Sequence, residues 1–264
     1  MLMMKERGVL SRENYIEKLE AIARYFPAVQ KQGSNAIVKV ESPESNSYLN
    51  QAIIREIHPS DTTQNVDSIL EFLDHKDKQF TLWCWENDMS EVLLEHIRLY
   101  KFKNQDVFST LMAEVKHIHF DFHLLEGFEF KMVNTQEELK AFAEVHCELE
   151  SDSQRKEDLR NFYLKLEKVE VDKIPHFELF YGAYEGEIIA VANMFYNESV
   201  VGIYDFLVKE NFRNDAVFPV TFKHLLLEAR KSGIPNCVLQ VPIALKDKFV
   251  KYGFNEVSRV MRFS

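Results

Sequence analysis

Histidines and carboxylates gather in one segment of the sequence, where their types could support metal binding. The group consists of Glu114, His117, His119, Asp121 and His123. Imidazole and carboxylate are common zinc ligands, and His117 and His119 would share one face of a strand. No partner motif accompanies them to fix a tetrahedral site. We therefore expect a polar strand face here and no metal.

A second polar cluster combines acidic and basic residues. Its members are Glu150, Asp152, Arg155, Lys156, Glu157 and Asp158. Mixed charges at this density are typical of a solvated face, and we prefer that interpretation to a catalytic acid pair. His146 and Cys147 are adjacent, so their side chains point apart on a helix. The sequence contains no G-x-S-x-G, Walker or G-x-G-x-x-G motif.

The overall composition indicates a globular chain and limits the classes of partner. The chain has 264 residues, of which 46% are hydrophobic and 28% charged, and its net charge is −10. Such an acidic chain lacks the clustered Lys and Arg that nucleic acids and anionic membranes require. We expect neither partner, although this balance does not exclude a local cationic pocket for one small anionic ligand.

Cysteine usage and hydropathy bear on the compartment. Cys84, Cys147 and Cys237 are odd in number, far apart and outside any C-x-x-C motif. This favours reduced thiols and a cytoplasmic protein over a disulfide framework. The first residues lack an apolar core of signal-peptide length, and no segment approaches the ~20 apolar residues of a membrane span.

The first half of the chain alternates helix and strand patterns. Ser11 can cap a first helix, which Pro27 ends. The patterns then predict extended pieces at 36–40 and 48–57, a helix from Thr62 or Thr63 to about Leu73, a strand at 79–85, a helix from Ser90 and a strand at 111–122. Trp83 and Trp85 share a strand face, where packing in the core or between domains is a better interpretation than a binding groove.

The second half begins again with a strand and ends like the first. Its predicted elements are a strand from Phe128, a helix capped by Thr135 and Glu138, a helix opened by SDSQRKED, strands at 177–184, 187–196 and 199–208, a helix from Pro219 to Lys231, a strand at 237–241, a helix at 244–252 and a strand at 257–263. Tyr100-Lys101-Phe102 and Tyr252-Gly253-Phe254 occupy matching places before the last strands. We infer two related units, 1–126 and 127–264; chance similarity of two β-α-β pieces is the alternative.

The order of elements from Phe130 to Ser264 resembles that of the GNAT acyltransferase superfamily. YGAYEGEIIAVANMF is similar to the family's hairpin of the second and third strands, IYDFLVKENFRNDAVFPVTFKHLLLEARKSG to its fourth strand, phosphate loop and helix, and FVKYGF to the helix end before its last strand. The resemblance implies an α/β (α+β) fold of two GNAT-like units, each a mixed, mostly antiparallel sheet flanked by helices, the N-terminal unit being degenerate.

The resemblance also implies an acyl-CoA site where a helix begins. In the family, an R-x-x-G-x-G loop presents backbone N–H groups to the diphosphate, and a helix N-terminus favours anions. The matching residues are Arg213, Asn214, Asp215, Ala216, Val217 and Phe218. Ala216 and Phe218 replace the two glycines, and Pro219 lacks an N–H. Asp215 adds a negative charge, which cations such as Lys209 could offset. We expect weakened or altered acyl-CoA binding; a plain strand-to-helix connection is the alternative.

The chemistry that this fold implies is aminolysis of a thioester. An amine loses a proton and attacks the acyl carbonyl, and the leaving thiolate gains a proton. The resemblance places the carbonyl against the backbone of Phe206, Leu207 and Val208, where an N–H would polarise it. Asp205 is the best-placed acidic candidate for the base, directly or through water. A solvated strand carboxylate is the alternative for Asp205.

The general acid is missing from its expected position. The family often has a Tyr four residues before the Gly of the Gly-Phe pair, and this chain has Phe249 there, which cannot donate a proton. Tyr252 is the nearest candidate, although its place on the helix suits core packing better. Loss of a positioned acid costs about 10²–10⁴ in rate. Catalysis therefore relies on proximity, uses another donor or is lost.

Three functions follow from the resemblance. The first is an N-acyltransferase that uses acetyl-CoA or another acyl-CoA, without a metal, on an amine of a small molecule or protein, with a homodimer as one assembly. The second is a non-catalytic acyl-CoA-binding or interaction protein, which Ala216, Phe218, Pro219 and Phe249 support. The third is a FemX-like aminoacyl transferase, against which the charge of −10 argues because it must bind tRNA.

Overall fold

Helices and strands alternate along the part of the chain that the computed structural model describes. The described residues are 4–26, 30–33, 37–42, 46–55, 80–99, 104–118, 125–169, 173–213 and 216–264. The helices are α1 (Met4–Tyr25), α2 (Glu91–Leu99), α3 (Gln136–Leu149), α4 (Ser153–Leu166), α5 (Val217–Lys231) and α6 (Asp247–Val250). The strands are β1 (Gln30–Gly33), β2 (Ile37–Glu41), β3 (Gln51–Ile54), β4 (Thr81–Trp85), β5 (Asn104–Glu114), β6 (Phe128–Met132), β7 (Phe177–Tyr184), β8 (Glu187–Tyr196), β9 (Val200–Val208), β10 (Asn236–Pro242) and β11 (Asn255–Phe263).

The α/β fold class is confirmed, and local signals explain several elements. Thr135 Oγ1 accepts a hydrogen bond from the Glu138 backbone N–H, and the Glu138 carboxylate accepts one from the Thr135 N–H, which completes the predicted capping box of α3. Gly186 has a φ of 85° in the turn between β7 and β8, a conformation that glycine adopts without steric cost. The hairpin signal at this turn was therefore interpreted correctly.

Several predicted boundaries are wrong. α1 begins at Met4, and Ser11 lies buried inside it, where its hydroxyl accepts a hydrogen bond from Trp85 Nε1 over 3.3 Å. β5 ends at Glu114 and a 3₁₀ turn follows, whereas the prediction extended this strand to residue 122. α5 begins before Pro219, and α6 is a single turn. The helix predicted between residues 62 and 73 lies outside the described residues, as do His119, Asp121 and His123.

The described strands form one continuous sheet that joins both halves of the chain. Its order is β1-β2-β3-β4-β11-β5-β10-β9-β8-β7-β6. The last strand of each half lies within the other half: β5 pairs with β10, and β11 pairs with β4. Within this sheet the pairs β3/β4 and β9/β10 are parallel, so the two halves repeat one arrangement. The division between residues 126 and 127 stays a prediction.

Two hydrophobic clusters cover the opposite faces of the sheet. Val191 belongs to the cluster beneath α1, α3 and α4, and its neighbour Ala192 belongs to the cluster beneath α5 and α6. Successive strand residues point to opposite faces, so the two clusters lie on different sides. Phe142 and Phe222 are fully buried within them, and burying one such side chain stabilises the fold by about 1.5–3 kcal/mol.

None of the helices in the described ranges is both long and apolar enough to span a membrane.

Candidate functional site

The parallel strands β9 and β10 pair over part of their length and then separate. Their register runs from Val200 opposite Asn236 to Ile203 opposite Leu239. Residues 204–208 of β9 and 240–242 of β10 continue beyond this point without pairing to one another. A gap therefore opens in the centre of the sheet, and we call it the β9/β10 gap.

A β-bulge in β9 lies at the mouth of this gap. Val191 of β8 pairs with Leu207 and Asn193 pairs with Tyr204, so Ala192 faces two residues, Asp205 and Phe206. Asp205 has a φ of 49°, which only a few non-glycine residues, Asp among them, tolerate. The extra residue lets the consecutive side chains of Tyr204 and Asp205 line the same cavity.

The backbone after the bulge offers a polar group to the gap. Lys209 N–H donates to Ile189 O of β8 over 2.8 Å. Neighbouring residues of an antiparallel strand turn their N–H and C=O groups to opposite edges, so Val208 turns its groups toward β10. Arg213 Nε donates to the Val208 oxygen over 2.8 Å, which agrees with this direction. Of the three backbone positions predicted to polarise an acyl carbonyl, Val208 therefore faces the gap, whereas Leu207 faces β8.

Aromatic rings occupy the α5 side of the gap. The Phe218 ring, in the first turn of α5, lies 5.0 Å from the Phe206 ring of β9 and 5.8 Å from the Phe249 ring of α6, between centroids. These rings connect β9 with the helix that follows β10, so they extend across the gap on this side. Ala216 and Val217 precede Phe218 at the start of the helix, and Asn214 and Asp215 lie outside the described residues.

Lys209, which was predicted to offset the charge of Asp215, and Arg213 both have other partners. Lys209 Nζ lies 2.9 Å from Glu187 and 3.2 Å from Glu148, and the Glu187 contact raises the pKa of Lys209. The Arg213 side chain is bound to the Val208 oxygen. An anion at this loop would have to compete with these contacts.

A polar cleft lies on the other face of the sheet, beneath α1, α3 and α4. Its volume is about 360 Å³, and both halves of the chain line it. From the first half come Tyr15, Lys18, Ser47, Tyr48, Gln51, Thr81, Trp83, Asp106 and Phe108. From the second half come His146, Leu149, Glu150, Ser151, Arg155, Tyr204, Asp205, Leu207, Gln240 and Arg262. Asp205, Leu207 and Gln240 belong to the strands that border the β9/β10 gap, so the cleft and the gap meet.

Asp205 presents an ionised carboxylate to this cleft. Water reaches it, but protein atoms surround it closely, and Asn193 Nδ2 donates to its Oδ2 over 2.6 Å. Burial raises the pKa of Asp205, but the charge of Lys18 and the Asn193 hydrogen bond oppose this effect, and the net pKa lies below the ordinary value. The carboxylate is therefore a weak base and a strong anchor for a cation.

Lys18 brings a buried ammonium to the same cleft. It is 6% exposed, and its Nζ lies 4.6 Å from the centroid of the Tyr15 ring and 4.2 Å from that of Tyr204. Burial lowers the pKa of Lys18, and the charge of Asp205 works against this shift. The sequence signal for Lys18 was its position in the apolar stripe of α1, three residues after Tyr15, but our sequence interpretation missed it.

His146 is the third titratable group of the cleft, and like Lys18 it is buried. Its Nδ1 lies 2.8 Å from Tyr163 Oη, and burial lowers its pKa, so the imidazole is neutral at neutral pH. In the tautomer that carries its proton on Nδ1, the Nδ1–H donates a hydrogen bond to the Tyr163 oxygen, and Nε2 is left as a proton acceptor. His146 was not a candidate from the sequence, because the side chain of its neighbour Cys147 points away from it on the helix.

Tyr252 lies apart from Asp205. It is buried in the cluster beneath α5, with its ring 5.0 Å from that of Phe222, whereas Asp205 faces the cleft on the opposite face. The structure thus brings Asp205 and Val208 to the β9/β10 gap but does not bring Tyr252 to the cleft.

Within the described part of the chain no group of His, Cys, Asp and Glu could hold a metal ion.

Comparisons with known proteins bear on the fold. No protein-family model matches the chain, and no curated protein matches it. A GCN5-related N-acetyltransferase from Kribbella flavida has a similar structure, with a TM-score of 0.69 and 12% identity over 96% of this chain and 94% of that protein. A functionally unknown conserved protein from Staphylococcus epidermidis reaches 0.67 at 12% identity, over 89% and 93%. A tandem GNAT protein from the clavulanic acid biosynthesis pathway reaches 0.57 at 10% identity, over 95% and 94%. The predicted tandem GNAT-like architecture is confirmed.

Proposed function

We propose that this chain, which has the fold of tandem GNAT proteins, is an N-acyltransferase that moves an acyl group from acyl-CoA to an amine. The observation that carries the proposal is the alignment of the bulge, the gap and the cleft. The β9/β10 gap leads past the Val208 backbone to Asp205, and a charged cleft begins at that carboxylate. A thioester in the gap would meet an amine in the cleft at this point. The volume of the cleft, near the lower end of the roughly 300–1,000 Å³ of small-molecule sites, favours a small-molecule amine over a protein.

The groups around the gap have distinct roles in this reaction. The amine nitrogen forms a bond to the acyl carbon while the bond from that carbon to sulfur breaks, giving an amide and a thiolate. The Val208 N–H polarises the carbonyl, and Asp205 holds the ammonium form of the acceptor. The ammonium first gives one proton to solvent, and neutral His146 takes the second proton, which the nitrogen loses as it attacks, with Asp205 as the alternative base. Water protonates the thiolate, because Phe249 has no proton to give. Tyr252 protonates the thiolate only if the thiolate leaves toward α5.

Acyl-CoA has to displace the ring of Phe218 to reach the gap from the side of α5. The ring is only partly buried, so one side of it already faces solvent. Its contacts with Phe206 and Phe249 oppose this movement, and we expect acyl-CoA to bind weakly for that reason. Acetyl-CoA is the simplest donor.

Calorimetric titration with acetyl-CoA, followed by a CoA-release assay with a panel of amines, tests the proposal. Free CoA can be measured with a thiol reagent because Cys84, Cys147 and Cys237 are all buried and add little background. We expect saturable binding and amine-dependent release of CoA. Absence of binding at millimolar acetyl-CoA would overturn the assignment of the donor.

The aromatic contacts of Phe218 favour one second candidate, a protein that binds acyl-CoA or another partner without catalysis. In that case acetyl-CoA binds but no amine causes release of CoA above the rate in buffer. The loss of a proton donor at Phe249 supports this alternative, since that side chain is fully buried among other rings. The same two measurements separate the candidates.

A further inference from the structure

Lys18 is a buried cation that lacks an acceptor. Among the described residues, no carboxylate lies within ion-pair distance of its Nζ and no oxygen accepts a hydrogen bond from it; its close contacts are the faces of two tyrosine rings. The side chain is largely buried, so an acceptor for its ammonium group would offset part of the cost of burying it. The side chain lines the cleft and also a smaller cavity of about 50 Å³ next to it, so its free donors point into space that a ligand can enter.

Asp205 supplies the opposite charge across the same space. Its Oδ2 accepts from Asn193, and the described residues provide no donor to its Oδ1. Asp205 and Lys18 influence each other's ionisation, yet they form no ion pair. One cleft therefore holds a free positive and a free negative group, separated by more than a direct contact.

The other charges of the cleft neutralise one another within its walls. Arg155 lies 3.3 Å from Glu150, and Arg262 forms an ion pair with Asp106. His146 is neutral because burial lowers its pKa. Counting Lys18 and Asp205, the lining holds three cations and three anions, so the cleft has no net charge. A polyamine or a phosphate dianion would leave charges unmatched, whereas a zwitterion would match both free groups.

Aromatic side chains form the wall next to these groups. Trp83 lies 5.9 Å from Phe108 and 5.4 Å from Tyr15, between ring centroids. Trp83 Nε1 and the Tyr15 hydroxyl both donate to Gln51 Oε1 over 2.9 Å, which fixes the two rings. Fixed aromatic faces favour an apolar, preferably aromatic, group on the ligand.

We propose that the acceptor amine of this cleft is an α-amino acid with an aromatic side chain, whose carboxylate binds Lys18 and whose ammonium binds Asp205. This inference rests on the proposed function, because it places the amine at the β9/β10 gap, where an acyl group would arrive. It also gives Lys18 a role that packing alone does not explain.

Binding without CoA tests the inference independently of catalysis. The probes are L-phenylalanine, phenethylamine, which lacks the carboxylate, and 3-phenylpropanoate, which lacks the amine; spermidine represents polyamines. We expect calorimetry to show that L-phenylalanine binds at least about ten-fold more tightly than either analogue, since each charged contact is lost with one group. Lys18→Met should weaken the binding of L-phenylalanine but not that of phenethylamine. Asp205→Asn should weaken the binding of L-phenylalanine but not that of 3-phenylpropanoate.

Lys251→Met is the matched control, because Lys251 also lies over a tyrosine ring but is exposed and outside the cleft. The inference would be overturned if phenethylamine or spermidine bound as tightly as L-phenylalanine. It would also be overturned if Lys18→Met left the affinity for L-phenylalanine unchanged. If L-phenylalanine binds as described but acetyl-CoA neither binds nor is consumed, the zwitterion site stands and the transferase falls. If other amines release CoA but L-phenylalanine does not, the transferase stands and this inference falls.

Discussion

Asn193 on β8 donates a 2.6 Å hydrogen bond from its Nδ2 to Oδ2 of Asp205, across the bulge in β9. Asn193 is 4% exposed, and its own Oδ1 has no donor among the described residues. An amide that donates to Asp205 and leaves its oxygen unsatisfied favours the ionised carboxylate. The pair therefore fixes both the direction and the charge of Asp205 at the mouth of the gap.

Asp205→Asn removes this charge with little change in shape. Asn tolerates the positive φ of the bulge, so we expect the variant to keep its melting temperature within a few degrees. Its kcat/KM for CoA release should fall about 10²-fold or more, because the amine loses its anchor. Steady-state kinetics beside thermal unfolding measures both effects. Asp247→Asn, an exposed position outside the cleft, is the control, and equal kcat/KM in the two variants would contradict the role of Asp205.

Phe218→Ala opens the α5 side of the gap. Removing the ring eliminates its contacts with Phe206 and Phe249, so acetyl-CoA no longer has to displace it. We expect a lower Kd for acetyl-CoA, by about ten-fold if displacement costs about 1.4 kcal/mol. Calorimetric titration of both proteins measures the difference. Phe130→Ala on β6, where the ring stacks on Phe180, is the control for general loss of packing; weaker acetyl-CoA binding in Phe218→Ala would show instead that the ring supports the site.

Gly202→Ala tests the contact of α1 with β9 beside the cleft. A Cβ at Gly202 would lie 2.3 Å from Asn14 Oδ1 and 2.3 Å from Tyr204 Cε2, while the Tyr204 hydroxyl donates to that Asn14 oxygen over 2.7 Å. The added methyl group must push both groups away, and we expect a loss of about 1–3 kcal/mol in the free energy of unfolding. Urea unfolding measures it. Gly202→Val should lose more than Gly202→Ala, and wild-type stability in either variant would show that the contact is loose.

Several elements could be predicted because their sequence signals were local. The capping box of Thr135 and Glu138, the turn at Gly186 and the strand pattern of β7 to β9 each depend on residues a few positions apart, and each was predicted. The start of α1 was missed because Ser11 suits an N-cap but is also tolerated inside a helix, where its hydroxyl accepts a hydrogen bond from Trp85.

The exchange of last strands and the make-up of the cleft were beyond local signals. β5 and β11 pair although they are far apart in sequence, and the residue pattern of neither strand indicates which strand it pairs with. Asp106 and Arg262 form a wall of the cleft only because of this exchange. Asp205 could be selected from the resemblance, whereas the free charge of Lys18 follows only from what surrounds it in three dimensions.

Glu256 should make stability depend on pH through the strands that the halves exchange. It accepts a hydrogen bond from Ser109 of β5 over 2.8 Å and lies 3.1 Å from Lys246 and 3.2 Å from Arg259. Burial raises its pKa, but these three contacts outweigh burial and lower the pKa from 4.5 to about 2. Between these values the unfolded chain binds more protons than the folded one, so stability rises with pH there. The contribution of Glu256 is complete above pH 4.5 and is lost as pH falls toward 2.

Glu256→Gln should therefore be less stable than wild type at neutral pH, by about 1 kcal/mol for contacts that water partly screens. The difference in free energy of unfolding should stay constant down to pH 4.5 and shrink below it, because the wild type loses the same contribution by protonation. Urea unfolding at a series of pH values measures this. Glu157→Gln, which removes an exposed ion pair with Arg160, should show little difference at any pH. A difference for Glu256→Gln that grows as pH falls would mean that the carboxylate is not held ionised by Ser109, Lys246 and Arg259.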